Sequence, residues 1–428
     1  MKKYFCPLIK FKYKFLGYTL ITLALLNLYI KSYLIWFIIA FCCILFKKRL
    51  FAIFLQLTYF NLIKFLQLFF KQDVVLLMDA FENCELIDCY SMFEYLIDRE
   101  IECYYIINIK QKQYEEIKRK YTDKVIGIKY ISLMHFSLFF KLLRTRYFLS
   151  SFASGSRILK LLLKNNKRID YIFAQHGVVF TTERCFLQYN SEMFDKVVVA
   201  NSIEKSIWKR CGEFKDKNFV NAGLCRWDLL KNIENNKEKS IFIFFTWRRS
   251  FENKNYIDSL YYKNIISLLE NKIFLELLNN NNIKLYFGLH HGLVANGKKY
   301  SINNYYNIEF VEIEKISWYV KNCDLLITDY SSISFDFLFQ EKPVIYYLLD
   351  KSDKFLNEVD FEAGERAFSQ LNGLFNKVLS EDNVVDLVNY YIKSDFQLEK
   401  NKKDVVKKFF YYKRGIRKAI YEWMIDNW

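Results

Sequence analysis

Residues 325–349, Leu-Leu-Ile-Thr-Asp-Tyr-Ser-Ser-Ile-Ser-Phe-Asp-Phe-Leu-Phe-Gln-Glu-Lys-Pro-Val-Ile-Tyr-Tyr-Leu-Leu, restrict the fold more than any other part of the chain. An apolar run, Leu325 to Thr328, ends in a short polar turn. Helix-compatible residues follow to Gln340, then Lys342 and Pro343, then a second apolar run, Val344 to Leu349. Two buried-type strands separated by one helix length form a βαβ unit, which belongs in a parallel sheet covered by helices. Ser331 and Ser332 occupy the N-cap position of that helix. Their hydroxyls and the first-turn N–H groups therefore face out of the strand's carboxyl end, where open α/β sheets bind anions and above all phosphates. Many Ser caps serve only their own helix, and at this point that alternative stands beside the phosphate site.

The same alternation extends along most of the chain. Val74 to Met78, Cys103 to Ile109, Val125 to Ile128, Tyr147 to Ser150, Tyr171 to Ala174 and Lys196 to Ala200 read as strands. Tyr90 to Arg99, Tyr114 to Tyr121, Leu133 to Leu143 and Ser202 to Arg210 read as helices. A polar stretch, Asn232 to Lys239, marks a linker. A second series follows: strand Ile241 to Phe245, helix Tyr261 to Leu278, strands Lys284 to Phe287 and Glu309 to Val311, helix Ile316 to Lys321, and the strand-helix-strand described first. The expected organisation is an α/β protein with domains at 73–235 and 240–380, whose strand ends face a common cleft. A basic helical tail occupies 381–428. Between Lys393 and Lys418 it holds ten basic residues against three acidic ones. That pattern fits a solvated helix face or contact with anionic lipid.

Residues 1–72 read differently. Leu16 to Phe46 is apolar except for threonines, Asn27, Lys31 and Ser32. Lys31 splits it into two arms of about fifteen residues, each ~22 Å as helix and short of the ~30 Å hydrocarbon core. Both flanks are basic (Lys2, Lys3, Lys10, Lys12 and Lys14; Lys47, Lys48 and Arg49), which favours a membrane hairpin with its tip near Lys31 and both ends in the cytoplasm. Leu50 to Phe70 gathers Gln56, Asn61, Lys64 and Gln67 in one helical sector, with Lys71 just beyond, as in a helix lying on a bilayer. These segments could instead pack as core helices beneath the later domains.

The net charge of +16 points to anionic partners. No zinc-finger spacing, RNP-like signature or helix-turn-helix signal accompanies it, so nucleic acid is not expected and membrane and phosphate are. The ten cysteines include no Cys-x-x-Cys pair and suit buried thiols in a reducing compartment.

Three of the four histidines follow strands. His176 lies after Tyr171 to Ala174 and before Gly177, and His290 and His291 lie after Lys284 to Phe287 and before Gly292. Histidine at the carboxyl edge of a sheet suits proton abstraction from a hydroxyl. His135, within an apolar helical run, suits a structural place. Arg226 and Asp228 sit in Gly-Leu-Cys-Arg-Trp-Asp before the linker, and Thr246-Trp-Arg-Arg249 ends the first strand of the second series. Each arginine fits bidentate phosphate capture or an ordinary ion pair. There is no Asp-x-Asp, no P-loop and no complete Gly-x-Gly-x-x-Gly after a strand. ATP phosphotransfer and dinucleotide redox chemistry lose ground accordingly. The histidine spacings form no zinc ligand set, and no metal or cofactor is expected.

In this order the pieces resemble the CDP-glycerol glycerophosphotransferases of the teichoic-acid primase and polymerase group. Ile327-Thr-Asp-Tyr-Ser-Ser-Ile-Ser-Phe-Asp-Phe337 followed by Lys342-Pro343 is similar to the family's Thr-Asp-Tyr-Ser-Ser, Phe-Asp and Lys/Arg-Pro. Gln175-His176-Gly177 resembles its His-Gly element, and Gly223 with Arg226 and Asp228 its Gly-Tyr-Pro-Arg-Asn-Asp. Thr246-Trp247-Arg248 resembles its Pro-Thr-Trp-Arg, and Leu289-His290 its Leu-His-Pro. The resemblance implies a GT-B-like fold of two Rossmann-like domains, an acceptor domain and a CDP-donor domain. It makes His176 the general base and His290 its catalytic companion in the second half. Arg226, Asp228, Thr246, Arg248, Thr328, Asp329, Ser331 and Ser332 become donor-binding residues. The implied partners are CDP-glycerol or another CDP-alditol and a membrane-linked glycan acceptor, met at the cytoplasmic face of the bacterial inner membrane.

Three positions depart from the family pattern. Val178-Val-Phe-Thr-Thr replaces Thr-Pro-Leu-Lys after His-Gly, His291 replaces the proline after the second histidine, and Cys225 replaces the proline before the arginine. They leave the donor half better matched than the acceptor half. The competing expectations are a GT-B glycosyltransferase moving a sugar from a nucleotide sugar, and a non-catalytic membrane scaffold.

Overall fold

The computed structural model describes residues 61–79, 88–128, 136–152, 168–179, 184–212, 214–230, 238–246, 259–288, 308–311, 315–349, 374 and 376–428. The expected hairpin around Lys31, most of the linker, and Trp247, Arg248, Arg249, His135, His290 and His291 lie outside them.

The first sheet contains β1 (Val74–Met78), β2 (Cys103–Asn108), β3 (Val125–Ile128), β4 (Thr145–Ser150), β5 (Asp170–Phe173), β6 (Lys196–Val199) and β7 (Phe219–Asn221). Their spatial order is β3-β2-β1-β4-β5-β6-β7, and every pairing is parallel. The second sheet contains β8 (Ser240–Phe244), β9 (Lys284–Gly288), β10 (Ile308–Phe310), β11 (Leu325–Thr328), β12 (Val344–Tyr347) and β13 (Asn376–Val378). Its order is β10-β9-β8-β11-β12-β13, again wholly parallel. Both sheets reverse direction of growth between their first and fourth strands. Doubly wound sheets bind ligands at that switch point, beyond the strands' carboxyl ends.

Strand alternation distributes the core. On β8, Phe242 and Phe244 point into a hydrophobic cluster shared with the first domain, whereas Ile241 and Ile243 point into a second cluster on the far face. On β12, Val344 and Tyr346 join the shared cluster and Ile345 and Tyr347 the far one. A two-residue period thus gives each central strand two buried faces, as helices on both sides require. The interdomain cluster includes the stacked Trp227 and Phe339 rings, 4.6 Å apart, and the stacked Phe335 and Phe409 rings, 5.9 Å apart.

Three expectations are corrected. The single helix Tyr261 to Leu278 is two helices, Leu260–Glu270 and Lys272–Asn280. Asn271 takes extended dihedrals between them, and its side chain accepts the N–H of Phe274 as a new N-cap. The three-residue strands β7 and β13 are additional, too short to leave a two-residue pattern. The basic tail presents most of its charges to solvent on one side and packs on the other. It forms the helices Glu381–Lys393, Lys400–Phe409 and Ile416–Asp426, and it returns to the first domain. Tyr411 N–H donates to Ala200 O (2.9 Å), the Tyr147 hydroxyl to Met424 O (2.9 Å) and Trp428 Nε1 to Gln72 O (2.9 Å).

Candidate active site

The carboxyl end of β5 runs directly into Gln175, His176 and Gly177. Gln175 adopts a left-handed conformation (φ 62°), and its buried side chain holds that strained turn by donating to Glu204 Oε1 (3.0 Å) and to Val198 O. Glu204 is fully buried and acts as a staple. It accepts Val179 N–H (2.8 Å) and Ala200 N–H (2.6 Å) as well as the Gln175 amide, so one carboxylate fixes both ends of the 175–179 loop. Burial pushes its pKa up to about 7, against these three hydrogen bonds.

The loop presents His176 at its apex, exposed on one side though set within the mass of the protein. Nδ1 lies 3.0 Å from Ser151 O. A carbonyl has no proton to give, so this hydrogen bond places the proton on Nδ1 and leaves Nε2 with its lone pair. Ser151 is itself anchored: its hydroxyl donates to Asp79 Oδ1 (2.6 Å) at the switch point between β1 and β4. Asp79 also accepts Cys89 N–H, Tyr90 N–H and the Tyr105 hydroxyl. Desolvation lowers the His176 pKa, and the charge of Arg226 lowers it further, while the Ser151 carbonyl opposes them.

In the second domain the turn after β11 carries Ser331 and Ser332, both half-buried. Ser332 is the N-cap residue of the helix Ile333–Phe339, as its position predicts. Its φ and ψ are helical, however, and no side chain makes a capping bond. The hydroxyl is thereby left out of the helix. The two domains meet here. A Cβ added to Gly177 would lie 2.2 Å from Ser332 Oγ and 2.8 Å from Ser332 Cβ. The His-Gly loop and the Ser-Ser turn are in van der Waals contact, which no spacing in the sequence states.

Several of the expected donor-binding residues have partners within the protein. Thr328 is fully buried and donates to Phe244 O, tying β11 to β8. Asp329 is also buried, and its Oδ1 accepts Thr246 N–H (2.8 Å) and the Thr246 hydroxyl (2.9 Å), closing the switch point of the second sheet. Asp228 caps the last helix across 188 residues of sequence. Its oxygens accept Ile416 N–H (3.1 Å) and Arg417 N–H (2.9 Å). Arg226 is committed to Asp88 (2.6 Å) and, through both Nε and Nη2, to Asp336 (2.9 Å each). Arg226 therefore takes the ion-pair alternative, in buried form. Burial raises Asp88 to about 6 despite this partner, and the nearby carboxylates of Asp79 and, less, Asp336 add to the rise.

Glu204, Asp79, Ser151 and Asp88 are given no role by the sequence, and Asp336 enters there only as part of the Phe-Asp motif. Glu204 does carry a local signal, an Asn201-x-x-Glu204 capping pattern at the start of the helix Ser202–Gly212, whose Asn201 Oδ1 accepts Glu204 N–H (2.8 Å). Among the described residues no group of three His, Cys, Asp or Glu side chains is placed to hold a metal ion.

Residues 60–418 match the family described as CDP-Glycerol:Poly(glycerophosphate) glycerophosphotransferase. The minor teichoic acid biosynthesis protein GgaB of Bacillus subtilis is 27% identical over 358 residues, which cover 78% of this chain and 38% of that protein. The teichoic acid poly(glycerol phosphate) polymerase of Bacillus spizizenii is 28% identical over 190 residues, covering 40% of this chain and 45% of the other. The chain thus spans less than half the length of either relative. In fold it is similar to the wall teichoic acid polymerase TagF (TM-score 0.58, 15% identity, 84% of this chain and 89% of that one). It is also similar to a UDP-N-acetylglucosamine 2-epimerase from Listeria monocytogenes (TM-score 0.52, 11% identity, 84% and 97%). With a match across most of its length, and with the His-Gly loop and Ser-Ser turn of its sequence brought together, the chain belongs to the CDP-glycerol:poly(glycerophosphate) glycerophosphotransferase family.

Proposed function

We propose that the chain transfers glycerol phosphate, or a related polyol phosphate, from its CDP-activated form to a hydroxyl of a teichoic-acid-like surface glycan, releasing CMP. The observation that carries this reading is the contact between the His176 loop and the Ser332 turn. It brings the residue next to His176, whose Nε2 keeps its lone pair, against a serine whose hydroxyl makes no capping bond. In the reaction, His176 Nε2 takes the proton of the acceptor hydroxyl. The acceptor oxygen bonds to the β-phosphorus, the bond from that phosphorus to the bridging oxygen breaks, and CMP leaves with the electron pair. Ser331 and Ser332 donate to phosphate oxygens as charge builds on them, and the family resemblance adds Arg248 as a cationic group and His290 as a proton donor. Thr246, Asp329 and Thr328 act from behind, keeping the turn in shape.

The site meets its acceptor at the cytoplasmic face of the inner membrane. Support comes from residues 61–70, where the amphipathic pattern is inverted relative to an ordinary surface helix. Ile63 and Gln67 face the protein, Gln67 donating to Leu142 O (2.6 Å), whereas Leu62, Phe65, Leu68, Phe69 and Phe70 are exposed. No helix of the described residues is long and apolar enough to cross a membrane, so this face would lie on the bilayer rather than span it.

The deciding experiment incubates detergent-solubilised protein with a panel of CDP-alditols and nucleotide sugars and follows CMP and NDP. CMP release with a new phosphodiester is expected. A glycosidic product with NDP release would replace this reading with sugar transfer.

A further inference from the structure

We propose that Arg226 is a positioning residue whose guanidinium, bridging the two domains, fixes the separation between His176 and the Ser331–Ser332 turn. What that separation serves rests on the transfer reading above; the bridge itself rests on geometry. Arg226 Nη1 donates to Asp88 Oδ2 (2.6 Å) in the first domain and to the carbonyl oxygen of His176 itself (3.2 Å). Nε and Nη2 donate side by side to the two oxygens of Asp336 (2.9 Å each) in the second domain. Asp336 stands one helical turn after Ser332, within the helix Ile333–Phe339. A single planar, rigid group therefore connects the backbone of the proposed base to the helix that carries the proposed phosphate-binding turn.

The neighbours support this role. Trp227 Nε1 donates to the same Asp336 Oδ1 (2.6 Å), and its indole stacks on Phe339 at 4.6 Å. The side chains are 12% exposed for Arg226, 5% for Asp88 and 1% for Asp336. Phosphate capture by Arg226 would require displacing a buried carboxylate, which would then lack its partner. Nor does stability explain the triad. Two buried carboxylates on one guanidinium leave an excess negative charge, and the desolvation of such a buried cluster can outweigh its Coulombic gain.

Arg226→Lys keeps the charge and loses the planar fork, and Asp336→Asn removes the negative charge and one of the two acceptors that hold Arg226 to the second domain while Arg226 stays paired with Asp88. The readouts are steady-state CMP release from CDP-glycerol, amide hydrogen exchange, and a melting curve to identify folded protein. Either folded variant should show a kcat lower by about 10²-fold, the scale of an ångström-sized misplacement, with KM for CDP-glycerol unchanged. Exchange should quicken together in residues 177–179 and 333–339. A raised KM with kcat retained would make Arg226 a donor-binding group. Full activity, or faster exchange on one side alone, would also overturn the bridge. His176→Ala measured in parallel separates two failures. If it stays active, the base lies elsewhere and the separation from His176 loses its purpose, while the exchange result still judges the bridge. Wild-type protein that released no CMP would sink the transfer reading and leave the exchange test standing. If His176→Ala is inactive beside a fully active Arg226→Lys, only the positioning role falls.

Discussion

Gly177 of the first domain and Ser332 of the second stand so close that no side chain fits between them: an added Cβ would lie 2.8 Å from Ser332 Cβ and 2.2 Å from its Oγ. Rotation about χ1 relieves the second clash but not the first. Gly177→Ala must therefore push the His176 loop and the Ser-Ser turn apart by several tenths of an ångström. We expect a stability loss of about 1–3 kcal/mol, the usual cost of overpacking. A drop in kcat of about 10²-fold should accompany it. The double variant Gly177→Ala, Ser332→Gly restores the space without the hydroxyl, so its melting temperature should recover and its CMP release should not. A fully active Gly177→Ala would mean that the loop is free to move off the turn without consequence.

The pH profile tests the base. Desolvation and Arg226 hold His176 below its ordinary 6.5, and only the neutral imidazole accepts a proton. Activity is then complete above that lowered pKa and lost as pH falls through it, so the acid limb of kcat/KM should have its midpoint below 6.5. Stability moves the same way. Below 6.5 the unfolded chain binds a proton that the folded histidine resists, so the fold loses free energy as pH falls. His176→Asn should abolish turnover yet leave the CDP-induced rise in melting temperature. An acid limb that persisted unchanged in His176→Asn would assign the base elsewhere.

Glu204 makes the opposite prediction. Burial raises it from 4.5 to about 7, so between those values the folded protein holds a proton that the unfolded chain has released. Stability should therefore fall as pH rises across that window, by roughly 3 kcal/mol in total if Glu204 acted alone. Glu204→Gln removes the titration and should flatten that part of the curve. It should also loosen the 175–179 loop, because the glutamine amide meets donors at Val179 and Ala200 where the carboxylate meets them as an acceptor. Urea denaturation at stepped pH values reads the first effect, and kcat reads the second. An unaltered slope would show that other groups carry the dependence.

What the sequence disclosed and what it concealed divide along a physical line. β1, β3 and β11 occupy the predicted residues because each is a short apolar run bounded by polar turns, a signal contained within four or five residues. The Ser331–Ser332 N-cap position is local in the same sense. Arg226 shows the limit. Its residue type fits a phosphate or a carboxylate equally well, and the choice was made by Asp88 and Asp336, 138 and 110 positions away. Asp228 was drawn to donor binding by its neighbours in sequence, yet its partners are the first amides of a helix 188 residues later. The return of the basic tail to the first sheet was hidden for a related reason. Its lysines, most of them outward-facing though Lys402 is buried, dominate the composition, while Val406, Ile416, Ile420 and Met424, spaced by four to ten residues, are side chains that bury it.

Residues 61–70 lead to the last prediction. Phe65 and Phe69 are 58% and 72% exposed, and their rings meet edge to face at 5.6 Å, forming one apolar ridge. Water contact on that scale is costly, and each ring would gain about 1.5–3 kcal/mol on full burial. Membrane insertion at headgroup depth supplies that burial without requiring a spanning helix. Among the described residues the packing of this segment on the fold runs through Ile63 and Gln67, on the opposite side from the ridge. Phe65→Glu with Phe69→Glu should therefore leave the melting temperature in detergent and the CMP release with a soluble acceptor unchanged. Sedimentation with vesicles containing anionic lipid should fall by an order of magnitude or more, since each charged replacement adds a desolvation cost to the lost apolar gain. The basic charge of the chain makes a separate contribution, which raised salt screens and the two phenylalanines do not. Vesicle binding that vanished in salt but survived the double substitution would place the membrane contact on charge alone and leave the ridge to a protein partner.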